Sequence, residues 1–288
     1  MVANGDNEAG LAVPRGDIIR PTAYREQGPA EIERLPWSVL GPEFVSVWGR
    51  ADPSNPQPEH MEVTGMNGSG KTYFILTIVQ ERMIVRDTPT VIICTKPDDQ
   101  TLYLLGWPIV DSYEGVRKHR QCIFWPRTQK LGAERKAYHN AKIYELLDRL
   151  WVPKSNRLIV FDEIAYIESL SPELRDMIEM YWRESRALGI TMVAGKQRIQ
   201  GANRHMSSET WWTIAFVPKD EADKERIAEL FGPRRVWLPV FQEMDPFNHE
   251  FLIRHTKSGV AYVSYVDTPL RPVEPPDESR GSSMIYTK

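Results

Sequence analysis

Apolar runs and amphipathic stripes alternate along most of the chain. Strand-like runs fall at 44–48, 61–64, 89–95, 122–125, 157–162, 190–194 and 211–217, and helical spacing predicts helices over 71–85, 134–151 and 172–188. The middle runs lack polar alternation, as parallel strands do when helices cover both faces of a sheet. The helix at 172–188 has the clearest limits. Ser171 is placed to cap its N-terminus, Pro172 suits the first helical position, and Gly189 can take the left-handed conformation that stops it. Further on, apolar runs at 250–253 and 261–265 flank Lys257-Ser258-Gly259, which predicts a late antiparallel hairpin. Strands alternating with helices predict an α/β fold with a mainly parallel central sheet and this C-terminal hairpin.

Composition narrows the class. The 288 residues are 41% hydrophobic and 26% charged, enough apolar material for a sizeable core. The formal charge of −3 argues against bulk coating of nucleic acid, though not against a local basic groove. Cys94 and Cys122 both lie in strand-like runs and read as buried thiols, with no Cys/His cluster for zinc. No stretch approaches the ~20 apolar residues that span a bilayer, so no membrane span is expected, and no signal peptide is evident. A soluble protein of a reducing compartment is expected. Residues 1–36 read as an N-terminal arm, 37–268 as the globular unit and 269–288 as a C-terminal tail, because both ends are rich in Pro, Gly and charge without sustained periodicity.

The chemistry begins at Gly65-Met66-Asn67-Gly68-Ser69-Gly70-Lys71-Thr72, a full P-loop pattern between a strand and a helix. Glycines let backbone N–H groups converge on a phosphate, and the helix N-terminus adds partial positive charge. Lys71 is expected on the β- and γ-phosphates of ATP, and the Thr72 hydroxyl on Mg²⁺. The run Leu158-Ile159-Val160-Phe161 ends in Asp162 and Glu163, so a buried strand would deliver two carboxylates to the sheet edge where ligands bind. Asp162 is read as part of the Mg²⁺ shell, and Glu163 as the group that orients or deprotonates the attacking water. That second carboxylate favours hydrolysis over transfer to a small molecule. Gln197, just beyond the strand at 190–194, would stand at the same edge as a γ-phosphate contact, although a solvated loop glutamine fits the spacing too.

Three stretches together resemble the FtsK–HerA superfamily of ring-forming, DNA-translocating ATPases. They are His60–Thr72, Leu158–Glu163 and, most specifically, Trp182–Arg198 (WRESRALGITMVAGKQR), which is similar to that family's R-A-x-G-I-H-L-x-x-A-T-Q-R-P segment. The resemblance runs over roughly residues 43–233 and implies a RecA-like P-loop NTPase fold. It makes Gln197 a γ-phosphate sensor and aligns Arg186 with the family's arginine. As the cation supplied in trans Arg186 stands first, with Arg183 and Arg204 behind it, and an ordinary surface arginine paired with Glu184 or Asp176 fits as well. Ile199 and Lys196 depart from the pattern, standing where the family usually has Pro and Thr. With no membrane span before the motor, no winged helix after it and no room for a nuclease domain, the chain fits small viral genome-packaging members best.

One charge asymmetry bears on partners. Between Arg117 and Lys142 eight basic residues face Glu134 alone, inside a chain of net −3. Arg127, Lys130, Arg135 and Lys136, with Lys196 and Arg198 on a second basic loop, are the candidate contacts to double-stranded DNA. A solvated helix face with loops explains the same run almost as well. The expectation is an ATP-hydrolysing translocase, a pentameric or hexameric ring of identical chains docked on a viral portal or capsid vertex, in the host cytoplasm or at the procapsid. Export of single-stranded DNA and a non-translocating nucleotide switch are the alternatives.

Overall fold

The computed structural model describes residues 32–49, 58–197 and 209–270. Their strands form one ten-stranded sheet in the order β1-β10-β9-β8-β2-β7-β6-β3-β5-β4. In chain order these are β1 (Glu33–Pro36), β2 (Met61–Thr64), β3 (Thr90–Ile93), β4 (Ile109–Val110), β5 (Gln121–Phe124), β6 (Leu158–Phe161), β7 (Thr191–Lys196), β8 (Trp212–Phe216), β9 (Phe251–His255) and β10 (Ala261–Tyr265). From β8 to β4 all pairings are parallel; β9 alone runs against its neighbours, and β1 pairs parallel with β10. The mainly parallel α/β architecture and the late hairpin are therefore as the sequence patterning predicts.

Strand faces explain the unbroken apolar runs. In β6, Leu158 and Val160 join one core while Ile159 and Phe161 join the other, and β3 divides Ile92 from Val91 and Ile93 in the same way. The first core lies under α1 (Trp37–Gly49) and α2 (Lys71–Arg86). The second lies under α5 (Gly132–Leu150), α6 (Ile164–Glu168) and α7 (Pro172–Glu184), with two short helices, α3 (Gln100–Tyr103) and α4 (Tyr113–Lys118), earlier in the chain. A third cluster packs α8 (Glu221–Phe231) and α9 (Arg234–Glu243) on β8 to β10. Cys94 and Cys122 are free and buried, and burial pushes both thiols up to about 12. Among the described residues no helix is long and apolar enough to cross a membrane.

The limits of α7 follow its sequence. Ser171 Oγ accepts the Leu174 N–H at 3.1 Å, Pro172 opens the helix, and a 3₁₀ turn over Ser185–Leu188 ends at Gly189 with φ 76°. One element differs in kind. The run 44–48 is not a strand but the second half of α1, where Trp37, Leu40, Phe44, Val45 and Trp48 form a buried stripe at helical spacing. A five-residue run of four apolar side chains and Ser46 is too short to separate the two periods. The short strand β1 lies within the stretch read as an arm, because its half-exposed Glu33-Arg34-Leu35-Pro36 has no apolar run and pairs only with β10.

Candidate functional site

The P-loop follows β2 directly and wraps the start of α2. Gly65 N–H donates to the Lys196 carbonyl at 3.0 Å, which ties the loop to the end of β7, and Ser69 N–H donates to Met66 O at 3.1 Å. Gly68 (φ 77°) and Gly70 (φ 92°) hold left-handed backbone that a side chain would strain. Lys71, at the first position of α2, is buried, and burial lowers its pKa against the opposing pull of Asp162. The loop's Met66, Asn67, Gly68, Gly70, Lys71 and Thr72 line a cleft of about 340 Å³ that Lys96, Asp99, Thr101 and His249 complete.

Parallel pairing brings the acids to the same edge. Asp162 follows β6, is almost wholly buried, and accepts the Thr72 hydroxyl on Oδ1 at 3.0 Å. Glu163 is half-buried beside it at the start of α6, close enough for its charge to act on Lys71. Gly195 makes the close approach of β7 possible, since a Cβ there would stand 2.4 Å from the Asp162 carbonyl oxygen. Gln197 leaves β7 next to the P-loop and shares a second cleft, of about 390 Å³, with Thr64, Gly65, Met66 and Asn67. Thr72 and Asp162 are a hydroxyl and a carboxylate, the donor pair suited to a divalent cation that takes its other ligands from phosphate and water. No group of three or more His, Cys, Asp or Glu suited to a metal occurs among the described residues.

Two residues of the cleft have no motif to announce them. Lys96, after β3, places Nζ 2.6 Å from Asp162 Oδ2 and 2.6 Å from Asp99 Oδ2. Burial works against its charge, yet the two carboxylates outweigh that and hold its pKa above the ordinary lysine value. His249, before β9, donates from Nδ1 to the Ser69 carbonyl at 3.1 Å and has φ 52°, uncommon outside glycine. A lysine or histidine in an unpatterned loop gives no sequence signal until the chain folds.

This constellation lies on a known scaffold. No protein-family model and no curated protein matches the chain. Among solved structures, it is similar to the genome packaging NTPase B204 from Sulfolobus turreted icosahedral virus 2 in complex with sulfate. That match has a TM-score of 0.54 at 12% identity and covers 75% of this chain and 97% of that one. The AMPPCP complex of the same NTPase gives 0.54 at 12% identity, covering 75% and 98%. B204, the DNA-packaging ATPase from Sulfolobus Turreted Icosahedral Virus, gives 0.51 at 13%, again over 75% and 98%. The fold is that of a P-loop NTPase. That fold is the one the three sequence stretches imply.

The remaining candidates lie elsewhere. Arg186 sits at the opposite edge of the sheet, 3.3 Å from Glu209 and 5.7 Å from the Trp211 ring, one residue before β8. Arg183 is exposed on α7 and pairs with Glu179 at 3.8 Å. The basic segment is divided by β5: Arg117, Lys118 and Arg120 precede it, and Arg127, Lys130, Arg135 and Lys136 follow it at the nucleotide edge. Of these four, Arg127 stacks on Trp125 at 4.2 Å, Arg135 donates to the Thr95 carbonyl at 2.8 Å, and Lys130 and Lys136 are exposed. Lys196 corrects an expectation. It lies in β7 with 5% of its side chain exposed and pairs with Glu62 at 2.6 Å, so its charge is compensated inside the sheet rather than offered to DNA. Arg198 and Arg204 lie outside the described residues.

Proposed function

We propose that the chain is an ATP-hydrolysing DNA translocase that works as a ring of identical subunits, in the role of a viral genome-packaging motor. The observation that carries this reading is the convergence of the P-loop, Asp162–Glu163 and Gln197 on one sheet edge, in a fold matched along 97% of a packaging NTPase. Lys71 neutralises charge on the β- and γ-phosphates, and backbone N–H groups of Gly65–Thr72 cradle them. Thr72 and Asp162 would hold Mg²⁺, which when bound draws charge off the β- and γ-oxygens. Glu163 orients the attacking water, and Gln197 contacts the γ-phosphate and registers its loss.

Arg186 supports the ring. It lies beyond the N-terminal end of β7, whose six residues span roughly 20 Å at ~3.3 Å each, so it is remote from its own cleft. A cation there serves catalysis only by reaching a neighbouring subunit's nucleotide; Arg183 is the alternative on the same side. Arg127, Lys130, Arg135 and Lys136 face duplex phosphate, and a portal or capsid vertex receives the ring in the host cytoplasm.

Mixing Arg186→Ala and Glu163→Gln subunits, each inactive alone, tests the reading. Mixed rings contain interfaces with an intact Glu163 and an intact neighbouring Arg186, so part of a duplex-stimulated ATPase returns. No recovery in verified mixed rings removes Arg186 from the role. Stimulation by single strands alone would make the chain an export ATPase, and none by any DNA a nucleotide switch.

A further inference from the structure

Lys96 reaches into the phosphate cleft from the loop between β3 and α3. Its ammonium bridges two carboxylates, 2.6 Å from Asp162 Oδ2 and 2.6 Å from Asp99 Oδ2. The other Asp162 oxygen accepts the Thr72 hydroxyl proton at 3.0 Å. Both residues of the would-be metal pair are thus engaged by other side chains of the cleft. The carboxylate faces a cation that is already present, and the hydroxyl is turned to donate. Asp162 has 4% of its side chain exposed, and a carboxylate so buried needs a positive partner.

Asp99 fixes Lys96 in this position. Its Oδ1 caps α3 by accepting the Thr101 N–H at 2.9 Å and the Leu102 N–H at 3.4 Å, which leaves Oδ2 aimed at the ammonium. The anchor is therefore built into the backbone of α3 and does not depend on Asp162. An ammonium released from Asp162 stays tethered in the cleft by Asp99, next to the space that the phosphates would fill.

We propose that Lys96 holds the place of the divalent cation on Asp162, excludes metal that arrives without nucleotide, and yields that place when nucleotide carries the metal in. This rests on the reading of the cleft as a Mg²⁺–nucleotide site, and goes beyond it by making metal binding conditional on nucleotide. A metal ion and the Lys96 ammonium cannot share one carboxylate oxygen, because like charges at that separation repel strongly. Phosphate supplies the negative charge that lets both cations remain. The consequence is a site that does not trap Mg²⁺ between turnovers.

Mn²⁺ titration followed by electron paramagnetic resonance tests this on the full-length protein. Wild type should take up little Mn²⁺ alone and one equivalent with a non-hydrolysable ATP analogue. Lys96→Met should bind Mn²⁺ without nucleotide at least about tenfold more tightly than wild type, because the competing charge is gone. Lys96→Arg should resemble wild type, and adding Asp162→Asn to Lys96→Met should abolish the gain. Nucleotide-free wild type that binds Mn²⁺ as well as it does with the analogue overturns the proposal without any variant. So does a Lys96→Met protein that binds the analogue normally but shows no gain, or a gain that survives Asp162→Asn. A wild type that binds neither analogue nor Mn²⁺ fells the nucleotide-site reading and the proposal together. Loss of DNA-stimulated turnover alone leaves the Mn²⁺ result standing.

Discussion

The two edges of the parallel sheet manage their charged groups differently. Beside the phosphate loop, buried cations meet carboxylates: Lys96 bridges Asp162 and Asp99, and just below, Lys196 pairs with Glu62. At the opposite edge, cations lie on aromatic rings. Arg82 stands 4.2 Å over Trp48, and Arg186 and Lys257 stand 5.7 and 3.4 Å from Trp211. There His60 is wholly buried, accepts the Met192 N–H on Nδ1, and has its pKa lowered to about 3 by burial and then by Arg186. An edge of compensated carboxylates can exchange one cation for another, so it suits a ligand that brings phosphate and metal. An edge of aromatic platforms adds ring contacts to the ion pairs its cations make, as Arg186 does with Trp211 and Glu209, and so holds them in place.

The sharpest way to break this contrast is at Lys196. Lys196→Met should leave Glu62 buried and unpaired, costing about 3–5 kcal/mol of stability in chemical denaturation. Pairing it with Glu62→Leu should restore most of the loss, as buried pairs exchanged for apolar residues usually do. If Lys196→Met instead keeps full stability and flattens the salt dependence of DNA binding, the residue belongs to the surface after all.

Next in size is catalysis at the nucleotide edge. Lys71→Ala should lose nucleotide binding along with turnover, whereas Glu163→Gln should keep binding and lose about 10²–10³-fold in kcat, the usual scale for one group acting on the transition state. Steady-state ATPase with equilibrium nucleotide titration separates the two, and wild-type turnover by Glu163→Gln removes it from the chemistry.

Gly195→Ala probes the packing of β7 against the end of β6. A Cβ 2.4 Å from the Asp162 carbonyl must push β7 and β6 apart, so about 1–3 kcal/mol should be lost and the Thr72–Asp162 contact loosened. A melting temperature equal to wild type would mean that the strands have room to spare.

The last effect belongs to the opposite edge, is negligible near neutral pH and grows as pH falls. His60 is neutral when folded, and its folded pKa of about 3 lies below the ordinary value of 6.5. The unfolded chain therefore binds the extra proton first. Its contribution is fully present above pH ~6.5 and is lost as pH falls toward 3, with a slope of at most about 1.4 kcal/mol per pH unit. His60→Asn, which keeps an acceptor for Met192 N–H, should flatten the stability–pH curve in that window; an unchanged curve assigns the acid sensitivity to other groups.

Local chemistry makes the nucleotide edge legible in the sequence alone. A phosphate loop needs glycines at fixed offsets and a lysine at the helix start, and an acidic pair at the end of an apolar run marks the mouth of a parallel sheet. These constraints act within eight or so consecutive residues, so they survive as motifs. The opposite edge has no such signature. Arg186 meets Glu209 across 23 positions, and His60 meets Met192 across 132, so only the fold brings them together.

The chain's own sequence settled the strand–helix alternation, the P-loop with its following helix, the capped limits of α7 and the late hairpin, because periodicity and capping act between near neighbours. Tertiary structure decided the rest. It made a helix of the run 44–48, since only packing against α2 selects the face that Trp37, Phe44 and Trp48 share. It drew Lys196 inward to Glu62, where a neighbouring strand supplies the carboxylate. It also set Lys96 on Asp162, a contact between residues 66 positions apart that exists because β3 and β6 are adjacent and parallel, and so end at the same edge.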